Sequence, residues 1–547
     1  MPKRKISKGQ SSIDSWDSEK PILISLPSIP ISHKNHILGT SNENDKDIIY
    51  DDEDNKEDQN LRSEQIFIDN PKFNKKFSPM CHFSKNLYNS SIYEIRQSFT
   101  GHINEELRKK ISVLLENKPE GYQTKIYKFL DGYFRQNNDE NYTKLPEQSV
   151  QQTIKLATDA WFSNEQSREK YETDLEKRKD YTGKPGICGY KRTDESIMIF
   201  TNQQCHIERK EKFDKRRIND PIPGKIIKYY LIFPPELGIP DIPTRLPVSK
   251  SRGGNIDLRH VRIIPMNIGY NIEIVYKKVI SEKKQHLIEK FMLLSQNRIM
   301  GIDLGVNNIM AIVNNIGNHP IIIKNGIIKS TNQWFNKITS ELISIYMRQQ
   351  GFKGEYSKGI PVKMGKKFKI LSQNRSNLIK DIFHKLSRFV VRYCLKDKIG
   401  TIVIGLNKFW KQFVNMGKIS NQNFVYIPHS KLIKMIKYKA REYGIKVIVH
   451  EESYTSKCSF LDNETIEYHD IYMGKRLTDE GHRGLFRTNK GILINSDING
   501  AYNVIRKCIP NAFDNIDGHG LVGGVVLRPM SLNLKDLFSN KFKNLIL

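Results

Sequence analysis

Four carboxylates stand in three separated segments that are otherwise largely apolar. Asp303 lies in GIDLGVNNIMAIV (301–313), Glu451 and Glu452 in IKVIVHEESYTSK (445–457), and Asp497 in GILINSDINGAYNVI (491–505). A charge set among apolar side chains is costly unless a partner compensates it. Divalent cations are such partners, and two Mg²⁺ ions about 3.5–4 Å apart activate water against a phosphodiester. The pattern points to metal-dependent hydrolysis with Asp303, Asp497 and one of the two glutamates as ligands. Side chains alternate faces along a strand, so only one of Glu451 and Glu452 can turn toward Asp303, and Glu452 is preferred. Asp497 also has the form of a helix N-cap.

These acids need a scaffold that gathers distant segments. RIMGIDLGVNNIMAIVNN and HPIIIKNG read as three strands. A basic helix follows at 371–397, with apolar positions 379, 382, 383, 386, 390 and 393. TIVIGLNKFW (401–410) is a strand, PHSKLIKMIKYKAREYG (428–444) a helix ending at Gly444, IKVIVH (445–450) a strand, and 497–507 a helix. The order βββ–α–β–α–β–α fits a ribonuclease-H-like architecture. Actin-like and sugar-kinase ATPases share the GIDLG opening, but they need a second Gly-rich phosphate loop that this sequence lacks.

The chain has 547 residues, enough for three or more domains. Its formal net charge of +28 points to a polyanionic partner, nucleic acid first. Six cysteines show no framework spacing, which implies a reducing compartment. No apolar run approaches the ~20 residues that span a membrane, so a soluble intracellular protein is expected. PKRK at 2–5 has the composition of a nuclear-import signal. Residues 1–70, with the acidic run SNENDKDIIYDDEDNKEDQN, are expected to be disordered. Amphipathic helices are predicted within 71–180 and short strands, plausible as a small barrel, within 181–290.

TIVIGLNKFWKQ, EESYTSKCSFLDNE, GKRL…HRGLFRTNKG and INSDINGAYNVIRK resemble the TnpB/Fanzor family of transposon-encoded RNA-guided nucleases, continuously from about 298 to 510. The resemblance implies an RNA-guided, Mg²⁺-dependent DNA endonuclease, with a guide RNA and double-stranded target DNA as partners. It assigns 71–180 to a helical recognition lobe and 181–290 to a wedge-like barrel. A RuvC nuclease domain takes 295–455, a zinc-ribbon-like insert 456–490, the last RuvC segment 491–510 and a tail 511–547.

Two departures from that pattern matter. Most relatives carry the middle glutamate where this chain has Gly405, and glycine cannot bind metal. In the Fanzor-like subset the glutamate stands on the next strand, which returns the role to Glu452 or Glu451. The two C-x-x-C pairs of the ribbon are also lost. Cys458 stands with Leu461, and Arg487 with Lys490, so no structural zinc is expected and packing must hold the insert.

Nucleic-acid contacts are expected at Lys408, Trp410 and Lys411, where LNKFWKQ (406–412) mixes Lys and aromatics. Lys380, Lys385, Arg388 and Arg392 on the 371–397 helix suit an A-form backbone, and the resemblance adds Arg483. Two other classes stay open: a decayed, non-catalytic nucleic-acid-binding protein, and a transposase-associated protein acting in strand joining.

Overall fold

In a computed structural model, residues 24–26, 61–102, 105–174, 183–213, 225–277, 294–351, 364–406, 427–478, 480–514 and 526–536 are described. They form two compact units, one built mainly from Arg62–Thr158 and Tyr190–Lys277, the other mainly from Lys278–Leu547.

The first unit combines helices α1 (Pro71–Phe99), α2 (Glu106–Asn117) and α3 (Tyr122–Gln136) with a five-stranded and a three-stranded sheet. The larger sheet contains β1 (Ile24–Leu26), β2 (Leu61–Ile68), β3 (Met198–Thr201), β7 (Asp257–Pro265) and β8 (Tyr270–Lys277), in the order β1-β2-β8-β7-β3. The smaller holds β4 (His206–Phe213), β5 (Lys225–Ile232) and β6 (Ile242–Thr244). The segments expected as separate lobe and barrel thus fall in one unit. Strand β2 also corrects the boundary of the expected disordered tail. Its polar residues are buried and bonded: Ser63 Oγ and Gln65 Nε2 donate to Glu273 Oε1 at 3.2 and 3.0 Å. Paired in this way, Ser63 and Gln65 sit in a buried strand with their side-chain donors satisfied. Helix α4 (Glu147–Thr173) follows the first three helices in the chain.

The second unit is built on a six-stranded sheet. Strands β9 (Ser295–Asp303), β10 (Asn308–Asn314) and β11 (Ile321–Lys324) form an antiparallel meander. Strand β12 (Ile399–Gly405) lies parallel to β9, and β13 (Lys446–His450) parallel to β12. Helices α5 (Gly326–Gln349) and α6 (Lys366–Lys396) separate β11 from β12, and α7 (His429–Arg441) separates β12 from β13. The predicted order is therefore found, with one more helix. Positions 379, 382, 383, 386 and 390 of α6 are buried as their spacing requires, while Tyr393 is half-buried.

One sheet face packs Met300, Ile302, Ile402 and Ile404 against Phe383 and Leu386 of α6 and Leu432 and Ile436 of α7. The other packs Ile299, Val403, Ala311 and Val313 against Ile498, Ala501, Tyr502 and Ile505 of helix α8 (Ser496–Cys508). Each such side chain contributes roughly 1.5–3 kcal/mol by leaving water, so three layers are fixed by burial on both faces. Between β13 and α8, strands β14 (Lys475–Leu477), β15 (His482–Arg487) and β16 (Leu493–Asn495) form a small antiparallel sheet, which carries the insert past its expected end at 490. The segment expected as a tail contributes β17 (Met530–Asn533), parallel to β11 at the sheet edge. The expected import signal and most of the N-terminal tail lie outside the described residues.

Candidate active site

Asp303 is the last residue of β9, and Ile302 there pairs with Ile404 of β12, so Gly405 is its neighbour in the register. Both positions face α8. A Cβ on Gly405 would stand 2.8 Å from Val504 Cγ2, and one on Gly500 would stand 2.9 Å from Asp303 Oδ2. Period-two alternation thus puts the acid and the vacated position on one face, against the helix that carries Asp497.

The middle carboxylate fills that vacancy. A Cβ at Gly405 would lie 2.6 Å from Glu452 Oε2 and 3.3 Å from Glu452 Cβ. Strand β13 ends at His450, opposite Gly405, and the next two residues bring Glu452 back over the end of β12. Glycine at 405 is the room in which Glu452 sits. Glu451 turns away: its Oε2 accepts from Lys507 Nζ at 2.6 Å and from Ser453 Oγ at 2.7 Å. The geometry brings Glu452, not Glu451, to the site.

Asp497 is in the first turn of α8, and the helix is capped by Asn495, whose Oδ1 accepts from the Asp497 and Ile498 amides. The capping role expected for Asp497 belongs to Asn495. Asp497 Oδ2 instead accepts from Asn308 Nδ2 at 2.7 Å, and its Oδ1 lies 3.8 Å from Arg476 Nη2. Asn308 and Arg476 were absent from the expected set. An amide and a guanidinium carry no motif of their own, and Arg476 comes from β14, whose placement only the folded insert reveals.

Electrostatics ties the three acids together. Burial, then the charges of Glu452 and Asp497, hold the Asp303 carboxyl well above the usual carboxylate range, with Arg476 acting the other way. Burial, then Glu451, pushes Glu452 up to about 7, against the pull of Lys507. Glu451 is also raised by burial, but its bonds to Lys507 and Ser453 leave it below the usual value. Asp303 therefore senses the charge of both other acids. Oxygen-only donors of this kind suit hard cations such as Mg²⁺. Among the described residues, no three His, Cys, Asp or Glu side chains close tightly enough to grip one ion together.

Side-chain hydrogen bonds and ring stacking tie the insert together. Asp462 Oδ2 accepts from Ser459 Oγ at 2.6 Å and from the Asn489 amide at 2.8 Å, joining the two turns where the cysteine pairs would stand. Buried Glu464 accepts from the Ser459 and Met473 amides at 2.6 and 2.7 Å. Asn499 and Asn503 of α8 each donate to Cys458 O, at 2.8 and 2.7 Å, and Phe460 stacks on Tyr502 at 4.6 Å. Arg487 instead grips Glu480 with two nitrogens, at 2.9 and 2.8 Å.

Of the expected nucleic-acid contacts, Arg388 and Arg392 are exposed one helical turn apart on α6. Lys385 is exposed and paired with Asp381 at 2.6 Å, and Lys380 is half-buried. Lys408, Trp410 and Lys411 lie outside the described residues, as does the side chain of Arg483. No helix among the described residues is long and apolar enough to cross a membrane.

Two parts of the chain match family models. A family model described as "Probable transposase" (OrfB_IS605) matches residues 293–410, and one described as "Cas12f1-like, TNB domain" matches 429–504. The TnpB-like protein ORF457 of Acidianus two-tailed virus is 26% identical over 239 residues, 43% of this chain and 45% of that protein. The CRISPR-associated endodeoxyribonuclease Cas12f1 of Sulfoacidibacillus thermotolerans is 31% identical over 231 residues, 40% of this chain and 47% of that protein. The chain thus spans less than half the length of these relatives. A Cas12f1–sgRNA–target DNA complex aligns over 80% of this chain and 83% of its own at 14% identity, with a TM-score of 0.45.

Proposed function

We propose that this chain, which is similar to TnpB-type proteins over residues 293–410 and 429–504, is an RNA-guided DNA endonuclease of a transposable element, cutting phosphodiesters in a RuvC-type, ribonuclease-H-like site. The observation that carries this reading is Glu452 seated over Gly405, beside Asp303. A chain that had merely lost its middle acid would have no reason to keep a second carboxylate in the vacated space.

Asp303, Glu452 and Asp497 would hold Mg²⁺, with two ions expected. When bound, the metal supplies an activated water and neutralises charge building on the phosphate. The protein's own residues prepare that site. Asn308 fixes the rotation of Asp497 by occupying Oδ2, Gly500 lets Asp303 lie against α8, and Lys507 keeps Glu451 from competing with Glu452.

A guide RNA and a double-stranded target are the proposed partners. The net charge of +28 supports a polyanion, and exposed Arg388 and Arg392 offer a phosphate-binding face on α6. Lys380, Lys385, Arg483 and the 408–411 segment extend that proposal. In a eukaryotic or viral setting, PKRK would direct the protein to the nucleus.

The test is to sequence the RNA that copurifies with the protein and then assay cleavage of matching DNA with Mg²⁺. Specific RNA and Mg²⁺-dependent cutting are expected. Absence of a defined RNA overturns RNA guidance, and an Asp303→Ala protein that cuts like the parent overturns the site.

A further inference from the structure

Asp303 closes β9 and Asn308 opens β10, so one short turn carries both an acid of the site and the amide bonded to Asp497. The turn is tight: a Cβ on Gly305 would stand 2.7 Å from Asn308 O. Its three successive carbonyls accept hydrogen bonds from the starts of two helices. Gly305 O accepts from His429 Nε2 at 3.2 Å, Val306 O from Asn325 Nδ2 at 2.9 Å, and Asn307 O from the Asn325 amide at 2.9 Å. His429 is the first residue of α7, and Asn325 immediately precedes α5.

Both side chains are fully buried, where a polar group is costly unless it is bonded. Asn325 occupies the N-cap position of α5, where an asparagine oxygen ordinarily accepts from a first-turn amide. No such bond is made, and the side-chain nitrogen is given to Val306 O instead. At His429, a carbonyl can only accept, so the Nε2 bonded to Gly305 O carries the imidazole proton. Two buried polar side chains are thus committed to the one turn that joins Asp303 to Asn308.

We propose that His429 is a positioning residue for the metal site: with Asn325, it clamps the 304–307 turn so that Asp303 and Asn308 keep one geometry. This rests on the nuclease reading above. The clamp acts on two of the three acids at once, on Asp303 through the backbone and on Asp497 through Asn308. It also ties the start of α7, a helix that contributes no acid, to the site.

The experiment uses the full-length protein with its copurified RNA and has two readouts. Before Mg²⁺ is added, hydrogen exchange is followed at the Asn325 amide, whose acceptor is Asn307 O. Single-turnover cleavage of matching duplex is then measured across a Mg²⁺ titration, with duplex binding alongside. His429→Leu should speed exchange at Asn325 while leaving α6 as slow as in the parent. It should also raise the half-saturating Mg²⁺ about 10- to 100-fold, with duplex affinity unchanged. His429→Gln, which offers an amide nitrogen to the same carbonyl, should recover most of both effects. An unchanged half-saturating Mg²⁺ in His429→Leu overturns the proposal. So does a Gln variant no better than Leu, or exchange that rises alike through α6 and α7, the mark of a residue that only stabilises the fold. Asp303→Ala is the separate control: if it still cuts, the nuclease reading fails, while exchange at Asn325 still judges the clamp.

Discussion

Replacing Gly405 with alanine tests the relocated carboxylate directly. The added Cβ would lie 2.6 Å from Glu452 Oε2 and 2.8 Å from Val504 Cγ2, where ordinary contacts begin at 3.4 Å. Val504 sits in the packed face of α8 and yields little, so the carboxylate must retreat by about 0.8 Å to reach that ordinary contact. A misplacement near 1 Å costs about 10²-fold in rate, or roughly 2.7 kcal/mol of barrier. Overpacking adds about 1–3 kcal/mol of lost stability. Single-turnover cleavage at saturating Mg²⁺, well below the melting temperature, separates the two effects. Gly405→Ala should cut about 10²-fold more slowly while still binding its RNA and target. Gly405→Glu and Glu452→Gly should each be severely impaired, whereas the double variant, which moves the carboxylate across the gap, should cut faster than either. If Gly405→Ala keeps the parent rate, or the double variant is no better than the worse single, Glu452 is not held in the site as described.

Other outcomes follow from the same contacts. Glu452→Gln should lose cleavage by more than about 10²-fold, while Glu451→Gln, which removes an exposed pair with Lys507, should change stability by at most about 1 kcal/mol and leave the rate near parent. Glu464→Ala strands the buried Ser459 amide and should cost about 1–3 kcal/mol in urea unfolding, whereas a strong zinc chelator should leave the parent's unfolding curve unchanged. Burial, then the charge of Arg388, lowers Lys439 to about 7 from the ordinary 10.5. Between those values the unfolded chain binds a proton that the folded one does not, so stability should fall as pH drops from 10.5 to 7 and level off below. Lys439→Met should flatten that slope in denaturant titrations at pH 7 and 10.

The parts legible in sequence were those whose pattern is apolar. The sheet order and the buried stripe of α6 follow from period two and period 3.6 in hydrophobic residues. Strand β2 escaped because Ser63, Glu64 and Gln65 are buried polar residues, satisfied by partners some 180–210 positions away. Helix α5 escaped for a related reason: its inward stripe of Ile328, Asn332, Phe335, Thr339 and Leu342 alternates apolar with polar. In the site, Asp303 and Asp497 could be placed from their segments, but the choice of Glu452 needed the register that sets His450 opposite Gly405. Arg476 depended on the fold of the insert, which no local periodicity predicts.

Helix α8 joins what the chain order keeps apart. Toward the sheet it presents Gly500 to Asp303, and toward the insert it presents fully buried Asn499 and Asn503, bonded to the backbone of 455–460. The insert is consequently not a removable module. Excising it to make a smaller protein would expose these asparagines and the stacked face of Tyr502, and would loosen the same helix that carries Asp497. A graft of the nuclease core onto another scaffold must take both together, and a shortened version has to rebuild that buried face before it can be expected to keep its acids in place.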